Sequence, residues 1–404
     1  MKSDGFFQNG LHSGYNNPIS AEEISKAIDN MKISNRSIDL DGIHPYMIKN
    51  CGQQFQMLLF KLFNSTFDNG MRPWPEGRVT LLKKPGKSNY KDIGLYRPIT
   101  ITSYIGKLFE RVLKARLQQF PESNSILSPN QHGFRAGYST GSYMLELVTK
   151  IQHNIKKRKF TAGIFVDLQK AFDSIWINGL TFKLKSFDIC GKLLKLIHSF
   201  VCNHFLKIKV NDTISPQIAC NIGVPQGSVL SPTLFAIFIN DMLNHNLPNC
   251  KNLQCADNTS IIVEGNSHSE LSTVSQDCGT RIFSWLSKWR LKANSSKSDF
   301  VIFHGSSDLT LSGETIQKVS NTKVLGITID NKISFTEHFT RCKNALHQKW
   351  NMLKPFIASG LNIATCKYIL QQSVMPKTLP RLHLGPQIKT LSLPHVKATS
   401  SGTL

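Results

Sequence analysis

The chain has no run of about 18 consecutive apolar residues, the length a membrane-crossing helix needs, so no membrane span is predicted. Nor does it have a charge-then-apolar leader. Met1 to Asn17 is polar and rich in Gly and Asn, and reads as a loose lead-in rather than a secretory signal. No Cys-x-x-Cys pair occurs among the nine cysteines, which are scattered from Cys51 to Cys366. The odd count and wide spacing argue against a disulfide scaffold and a structural zinc, and fit reduced, mostly buried thiols in an intracellular protein. Acidic residues are scarce, with 26 Asp+Glu against 48 Lys+Arg and a net charge of +22. That imbalance implies a polyanionic partner, nucleic acid ahead of an anionic membrane, over a merely basic soluble surface. No internal repeat is present. What the chain does have is size and apolar content: 404 residues, 40% of them hydrophobic, expected to bury a substantial core.

The first firm element starts at Ser20, which forms a capping box with Glu23 while Ile19 and Ile24 stand where a hydrophobic staple would. Ile24, Ala27, Ile28 and Met31 recur at helical spacing, and a second helical stretch is expected from Pro45 to Phe67. Val79 to Leu82 is a strand candidate, followed by a basic turn, Lys83-Lys84-Pro85-Gly86-Lys87, and by Tyr96-Arg97-Pro98-Ile99-Thr100. Taken alone, this is an ordinary exposed basic hairpin; the alternative is a pair of basic groups that closes over a triphosphate. Amphipathic helices are expected through Ile105 to Leu117, from Ser139 through Ile151, and from Leu271 to Trp289. Ser231-Pro232 places a cap residue before Pro ahead of an apolar, buried helix. Asn252 to Val263 reads as a hairpin with Asp257-Asn258 at its tip, and Phe300–Phe303 and Val324–Ile329 as single strands. The pattern predicts an α+β fold, a small antiparallel sheet backed by helices on one face.

Two apolar runs in this pattern each deliver a carboxylate to their end: Phe165-Val166-Asp167 and Cys255-Ala256-Asp257, neither with an obvious basic neighbour. A lone Asp at a strand end is ordinarily a turn or cap residue. Two such strands side by side would instead hold a pair of hard divalent cations, usually Mg²⁺.

The blocks around them tip the reading. Asp167-Leu168-Gln169-Lys170-Ala171-Phe172-Asp173 and Gly223-Val224-Pro225-Gln226-Gly227-Ser228-Val229-Leu230-Ser231-Pro232 stand with Tyr96-Arg97-Pro98-Ile99, Gln131-His132-Gly133-Phe134-Arg135 and the Lys84 turn. Trp289-Arg290-Leu291-Lys292 with Lys297, and Leu325-Gly326-Ile327-Thr328, extend the series. In this order the blocks resemble the reverse transcriptases of non-LTR (LINE-type, jockey-like) retrotransposons, over roughly Ile19 to Phe339.

The resemblance implies a right-hand polymerase of fingers, palm and thumb. Residues 1–70 would be an N-terminal helical extension, 71–340 the fingers and palm, and 341–404 a partial or degenerate thumb with an irregular tail. It implies RNA-directed DNA polymerisation, with an RNA template, a DNA primer, dNTPs and two Mg²⁺ ions (Mn²⁺ as a substitute). Asp167, Asp257 and position 258 would be the metal ligands. Arg97, with Lys84 second, would hold the triphosphate, Phe172 would exclude a 2′-hydroxyl, and Gln226 and Gly227 would lie under the templating base pair. Lys297 would protonate the departing pyrophosphate, an ordinary solvated turn lysine being its alternative.

The sequence departs from the family in its metal hairpin, where Cys255 replaces Tyr and Asn258 replaces the second Asp. Two readings therefore stay open: a polymerase weakened at one ligand, or a nucleic-acid-binding remnant without turnover. A ribonucleotide polymerase is disfavoured by Phe172 and a group II intron maturase by the block pattern. With no endonuclease or RNase H segment evident, endonuclease function would come from elsewhere. Action in the nucleus is implied by the resemblance alone, without a clear signal.

Overall fold

The computed structural model describes residues 14–31, 38–84, 89–123, 126–244, 248–305 and 316–358, with positions 362 and 365. Residues 85–87 of the basic turn and the tail beyond Met375 lie outside the described residues.

The expected capping box at Ser20 and Glu23 opens α1 (Ala21–Asp29), with both reciprocal bonds formed. The stretch expected as one helix is two, α2 (Pro45–Lys49) and α3 (Gln53–Asn69), because the chain turns through Asn50 and Gly52. A basic hairpin follows, β1 (Glu76–Lys83) antiparallel to β2 (Tyr96–Ile101). Then come α4 (Tyr104–Ser123) and α5 (Thr140–Lys156), the latter capped by Ser139. The central strand β3 (Phe160–Asp167) is succeeded by α6 (Ile177–Ser186), α7 (Gly191–Cys202) and the strands β4 (His204–Val210), β5 (Thr213–Ile214) and β6 (Ile218–Cys220). A buried helix α8 (Ser231–Ile239), a hairpin β7 (Cys250–Cys255) and β8 (Asn258–Gly265), and α9 (His268–Lys288) complete the site-bearing part. The chain continues through β9 (Asp299–His304), β10 (Gln317–Lys318), β11 (Asn321–Val324), β12 (Ile327–Asp330) and α10 (Thr336–Ala358).

The strands form a central sheet in the order β10-β9-β3-β8-β7, a flanking sheet β2-β1-β4-β5 with β6 also on β4, and a separate β11–β12 pair. In the central sheet β3 lies antiparallel to both β8 and β9. Its interior residues from Thr161 to Val166 are all buried, as expected for a strand covered on both faces. Side chains alternate between two cores. Ala162, Ile164 and Val166 join the larger one, with α1, α3, α4 and α6–α9; Phe165 joins the smaller, with α5 and the β11–β12 pair. The sheet is thus backed on both faces, not one. The α5 face was missed because Tyr143, Met144 and Leu147 carry no mark of which sheet face they will meet.

Two further local expectations are corrected. Val324–Ile329 is not one strand but a turn between two: Leu325 and Gly326 both take positive φ, the geometry of a two-residue hairpin turn. Leu at such a position is no turn signal. And α8 is entered through Leu230, with Ser231 already helical. The capping is done earlier, by the Ser228 hydroxyl, which accepts from the amides of Leu230 at 3.0 Å and Ser231 at 3.4 Å.

Ser228 also donates to a buried carboxylate, Glu110 of α4, at 2.7 Å, and the Val229 amide donates to the same oxygen at 2.7 Å. Buried Arg72 stands 3.8 Å from the other oxygen. Removing one partner of a buried charged set strands the other. Glu110→Ala is therefore expected to destabilise the fold by about 3–5 kcal/mol. Urea denaturation would read this as a lowered midpoint at unchanged slope; a shift as small as that of a surface substitution would refute it.

Candidate active site

Asp167 is the last residue of β3, and its register partner on β8 is Asn258. Directly opposed residues share a sheet face, so both side chains are delivered to the same end of the central sheet. The β7–β8 turn consists of Ala256 and Asp257, since Cys255 pairs with Asn258. The tip thus sits one residue earlier than expected, with Ala256 supplying the positive φ and Asn258 already in the strand. The turn is tied to the first strand, where the Leu168 amide donates to the Asp257 carbonyl at 3.3 Å.

The hairpin rests on the Gln131–Phe134 loop. The amides of His132 and Gln254 donate to the carbonyls of Gln254 and Asn130 at 2.7 and 2.9 Å, and the Gln131 side chain bonds that of Gln254 at 2.9 Å. Both glutamines are fully buried. A Cβ at Gly133 would lie 2.2 Å from the Ala256 nitrogen, so only glycine lets this loop close against the turn that bears Asp257.

A third segment lies beside Asp167. The Asn294 amide donates to the Asp167 carbonyl at 2.8 Å, and the Gln169 amide to the Lys292 carbonyl at 2.8 Å. Around the Asp167 carboxylate stand the Asn294 amide at 3.4 Å and the Lys297 ammonium at 3.3 Å. The carboxylate is therefore not without a basic neighbour. Lys297 comes from a turn far along the chain, which is why the surroundings of Asp167 in sequence did not reveal it. Burial, reinforced by the nearby charge of Asp257, nonetheless pushes the Asp167 carboxyl above the usual range, against the opposing pull of Lys297. Asn258 turns its amide nitrogen toward an Asp257 oxygen at 3.3 Å, a donor where a carboxylate would repel.

The Gly223–Ser228 loop joins the rest. Its Gly223 and Val224 amides donate to the carbonyls of Ile175 and Phe172, each at 2.9 Å. Gln226 donates through its side-chain nitrogen to both oxygens of Asp173 at 2.9 Å, and accepts the Thr100 amide at its own carbonyl at 2.7 Å. A Cβ at Gly227 would fall 2.4 Å from the Thr100 carbonyl, so its missing side chain makes room for β2 of this same chain. Phe172 stacks on Phe235 at 5.0 Å between centroids, with Phe134 edge-on at 6.1 Å. Arg97, on β2, is exposed. Lys84 is partly spoken for, donating to the Gly94 carbonyl at 2.7 Å.

Asp167, Asp257, Asn258 and Lys297 are thus brought together directly, and Gln226, Gly227 and Phe172 are linked to them through Phe172–Ile175. Sequence reasoning missed Asp173 and Asn294 as participants. Asp173 lay inside a quoted block, but nothing in the block marks it as the acceptor for Gln226. Asn294, three residues before Lys297, carried no signal.

Among the described residues no cluster of three or more His, Cys, Asp or Glu side chains is placed to hold a metal. The donor set of two carboxylates and one amide nonetheless fits a hard cation that keeps several waters. Half-buried carboxylate charge that Lys297 only partly offsets is the observation that favours it. A pH test follows. A carboxyl whose folded pKa is raised binds more protons folded than unfolded, so its contribution to stability is largest at low pH and is lost as pH rises through the folded value. Asp167 and Asp173 both have this sign, each chiefly through burial. Thermal denaturation should therefore show Mg²⁺ raising the melting temperature at about pH 7.5 and much less at about pH 4, where protons compete with the cation for the Asp167 carboxylate. Equal stabilisation at both would sink it.

Residues 82–329 match the family model described as reverse transcriptase (RNA-dependent DNA polymerase). The RNA-directed DNA polymerase from mobile element jockey of Drosophila melanogaster is 27% identical over 387 residues, covering 92% of this chain and 42% of that protein. The probable RNA-directed DNA polymerase from transposon BS of the same organism is 27% identical over 354 residues, covering 83% and 38%. The chain spans about two fifths of the length of these relatives. Among solved structures, telomerase from Candida albicans aligns with a TM-score of 0.49 at 11% identity, over 70% of this chain and 49% of that one. No helix among the described residues is long and apolar enough to cross a membrane.

Proposed function

The chain belongs to the reverse transcriptase family, and from that membership and the carboxylates at the end of its central sheet we propose that it is an RNA-directed DNA polymerase of the non-LTR retrotransposon type. The observation that carries the reading is the convergence of Asp167 and Asp257 on one end of β3 and β8, beside Lys297. The flanking sheet serves as fingers, the central sheet as palm, and α10 as the start of a thumb. RNA template, DNA primer and dNTPs are the substrates, and the site of action is the nucleus.

Asp167 and Asp257, with the Asn258 carbonyl after an amide rotation, would hold Mg²⁺. When bound, two such ions supply a lowered pKa for the primer hydroxyl and positive charge for the pentavalent phosphorus. The protein does the rest. Gln226, fixed to Asp173 and to β2, holds the floor on which a base pair would lie. Arg97 offers the planar, multidentate donor that suits a triphosphate. The Phe172 ring, pinned by Phe235 and Phe134, stands as bulk against a 2′-hydroxyl. Lys297, beside Asp167, would serve as a proton donor to the leaving group.

A second reading, binding without turnover, is favoured by one observation: Asn258 presents an amide where the family carries a carboxylate. Primer extension on an RNA template separates the two. Metal-dependent dNTP incorporation by the purified chain, with ribonucleotides rejected, is the expected result. Silence from both this chain and Asn258→Asp, with RNA binding retained, would establish the second reading.

A further inference from the structure

Where α6 meets the end of α9, the surface holds a recess of about 560 Å³ that none of these carboxylates lines. Its walls are aromatic: Trp176, Phe182 and Trp289, with the Trp289 ring centroid 6.4 Å from each of the other two. Phe182 is 61% exposed, although it sits on a helix whose neighbours Thr181 and Lys183 are buried. Gly179 lies in the interior of α6, where glycine costs about 1 kcal/mol relative to alanine. A Cβ there would fall 2.6 Å from Trp176 Cε3 and 3.2 Å from Trp289 Cε3, so its absence is what lets the two indoles form the wall.

The rim is cationic. Lys288 lines the recess, and the Arg290 guanidinium lies 4.3 Å from the Trp176 ring centroid. Both are exposed, no lining residue is acidic, and no salt bridge to either cation occurs among the described residues. An exposed Phe182 ring, with Lys288 and an Arg290 guanidinium laid on the half-buried Trp176 beside it and no carboxylate in the lining, suits a flexible polyanion carrying flat rings: a base stacks on the phenyl ring while phosphates meet Lys and Arg. An acidic peptide would satisfy the charges, but it supplies flat rings only where its own aromatics fall in register.

We propose that this recess is a binding site for single-stranded polynucleotide, distinct from the carboxylate site, in which a base stacks on the exposed Phe182 ring while Lys288 and Arg290, the latter held on the Trp176 ring, meet the adjoining phosphates. The site does not depend on turnover, so it stands or falls independently of the polymerase reading.

The test is photo-crosslinking of the purified chain to a single-stranded RNA carrying 4-thiouridine, with the attachment points found by mass spectrometry. Crosslinks are expected within residues 176–182 and 288–290. Phe182→Ala, a change at an exposed position, should lower their yield at subsaturating RNA by about tenfold. Lys288→Glu with Arg290→Glu should lower it further, more at low salt than at high. Duplex RNA, whose bases are already stacked, should neither crosslink there nor compete. Absence of crosslinks in these segments, or a yield that falls with the charge variant but not with Phe182→Ala, would overturn the proposal. So would displacement of the RNA by an acidic aromatic peptide at lower concentration than by unlabelled oligonucleotide, which would assign the recess to a protein partner.

Discussion

Asp167→Asn is expected to lower primer extension by on the order of 10³-fold while leaving the metal-free protein as stable as before, or more so. The two signs come from the same environment. The Asp167 backbone is held by bonds that the substitution keeps: its amide donates to the Ser298 hydroxyl at 3.2 Å, and its carbonyl accepts from the Asn294 amide. Its carboxylate, by contrast, is ionised against the cost of burial and the charge of Asp257. A neutral side chain of the same shape escapes both. What it gives up is the contact with Lys297, whose side chain is 63% exposed and whose ion pair contributes little in water. Catalysis loses a charged ligand to cations that each contribute several kcal/mol to the transition state, and about 4 kcal/mol corresponds to 10³ in rate. Primer extension and thermal denaturation in the absence of metal read the two halves separately. A variant that extends primers like the native chain would remove Asp167 from the mechanism. One that loses activity by unfolding would show that the carboxylate is structural.

The split between what such residues announce in sequence and what they conceal follows from range. Short-range facts were legible: the Ser20–Glu23 box, the Ser139 cap, the buried run of β3 and the spacing from Leu271 to Trp289 each depend on residues within a few positions of one another. The two aspartates were legible because an apolar run ending on a carboxylate is conspicuous, and because the blocks around them resemble a known family. Facts that depend on a partner far along the chain were not. Lys297 reaches Asp167 from 130 residues away, Gln131 reaches Gln254 from 123, and Glu110 reaches Ser228 from 118. No local pattern carries those pairings. The hairpin tip was misplaced by one residue because Asp and Asn are favoured at positive φ, yet it is Ala256 that adopts it. Strand register, set by Asp167 facing Asn258, overrode the turn propensity of two residues.

That register also fixes what Asn258→Asp should do: primer extension should reach half its maximum at about tenfold less Mg²⁺ than the native chain needs. Asn258 lies on the same sheet face as Asp167 and one residue from Asp257, so a carboxylate there would face the same cations as the other two. A further unit charge near 4 Å from a cation interacts by about 1 kcal/mol for each cation charge in water and about 4 kcal/mol at the effective dielectric of a protein surface. A net gain near the low end of that range corresponds to roughly tenfold, since each 1.4 kcal/mol is a factor of ten. The same change has an opposite effect without metal. The Asn258 amide donates to Asp257 at 3.3 Å, and replacing that donor with a third carboxylate brings like charges together where Asp167 is already reluctant to ionise. The metal-free variant should therefore melt at a lower temperature than the native chain and recover more on adding Mg²⁺. Asn258→Ala supplies the control, because it removes the amide without adding charge. If Asn258→Asp needs as much Mg²⁺ as Asn258→Ala, position 258 does not face the cations, and the Asp167–Asn258 register does not deliver a third ligand to the site.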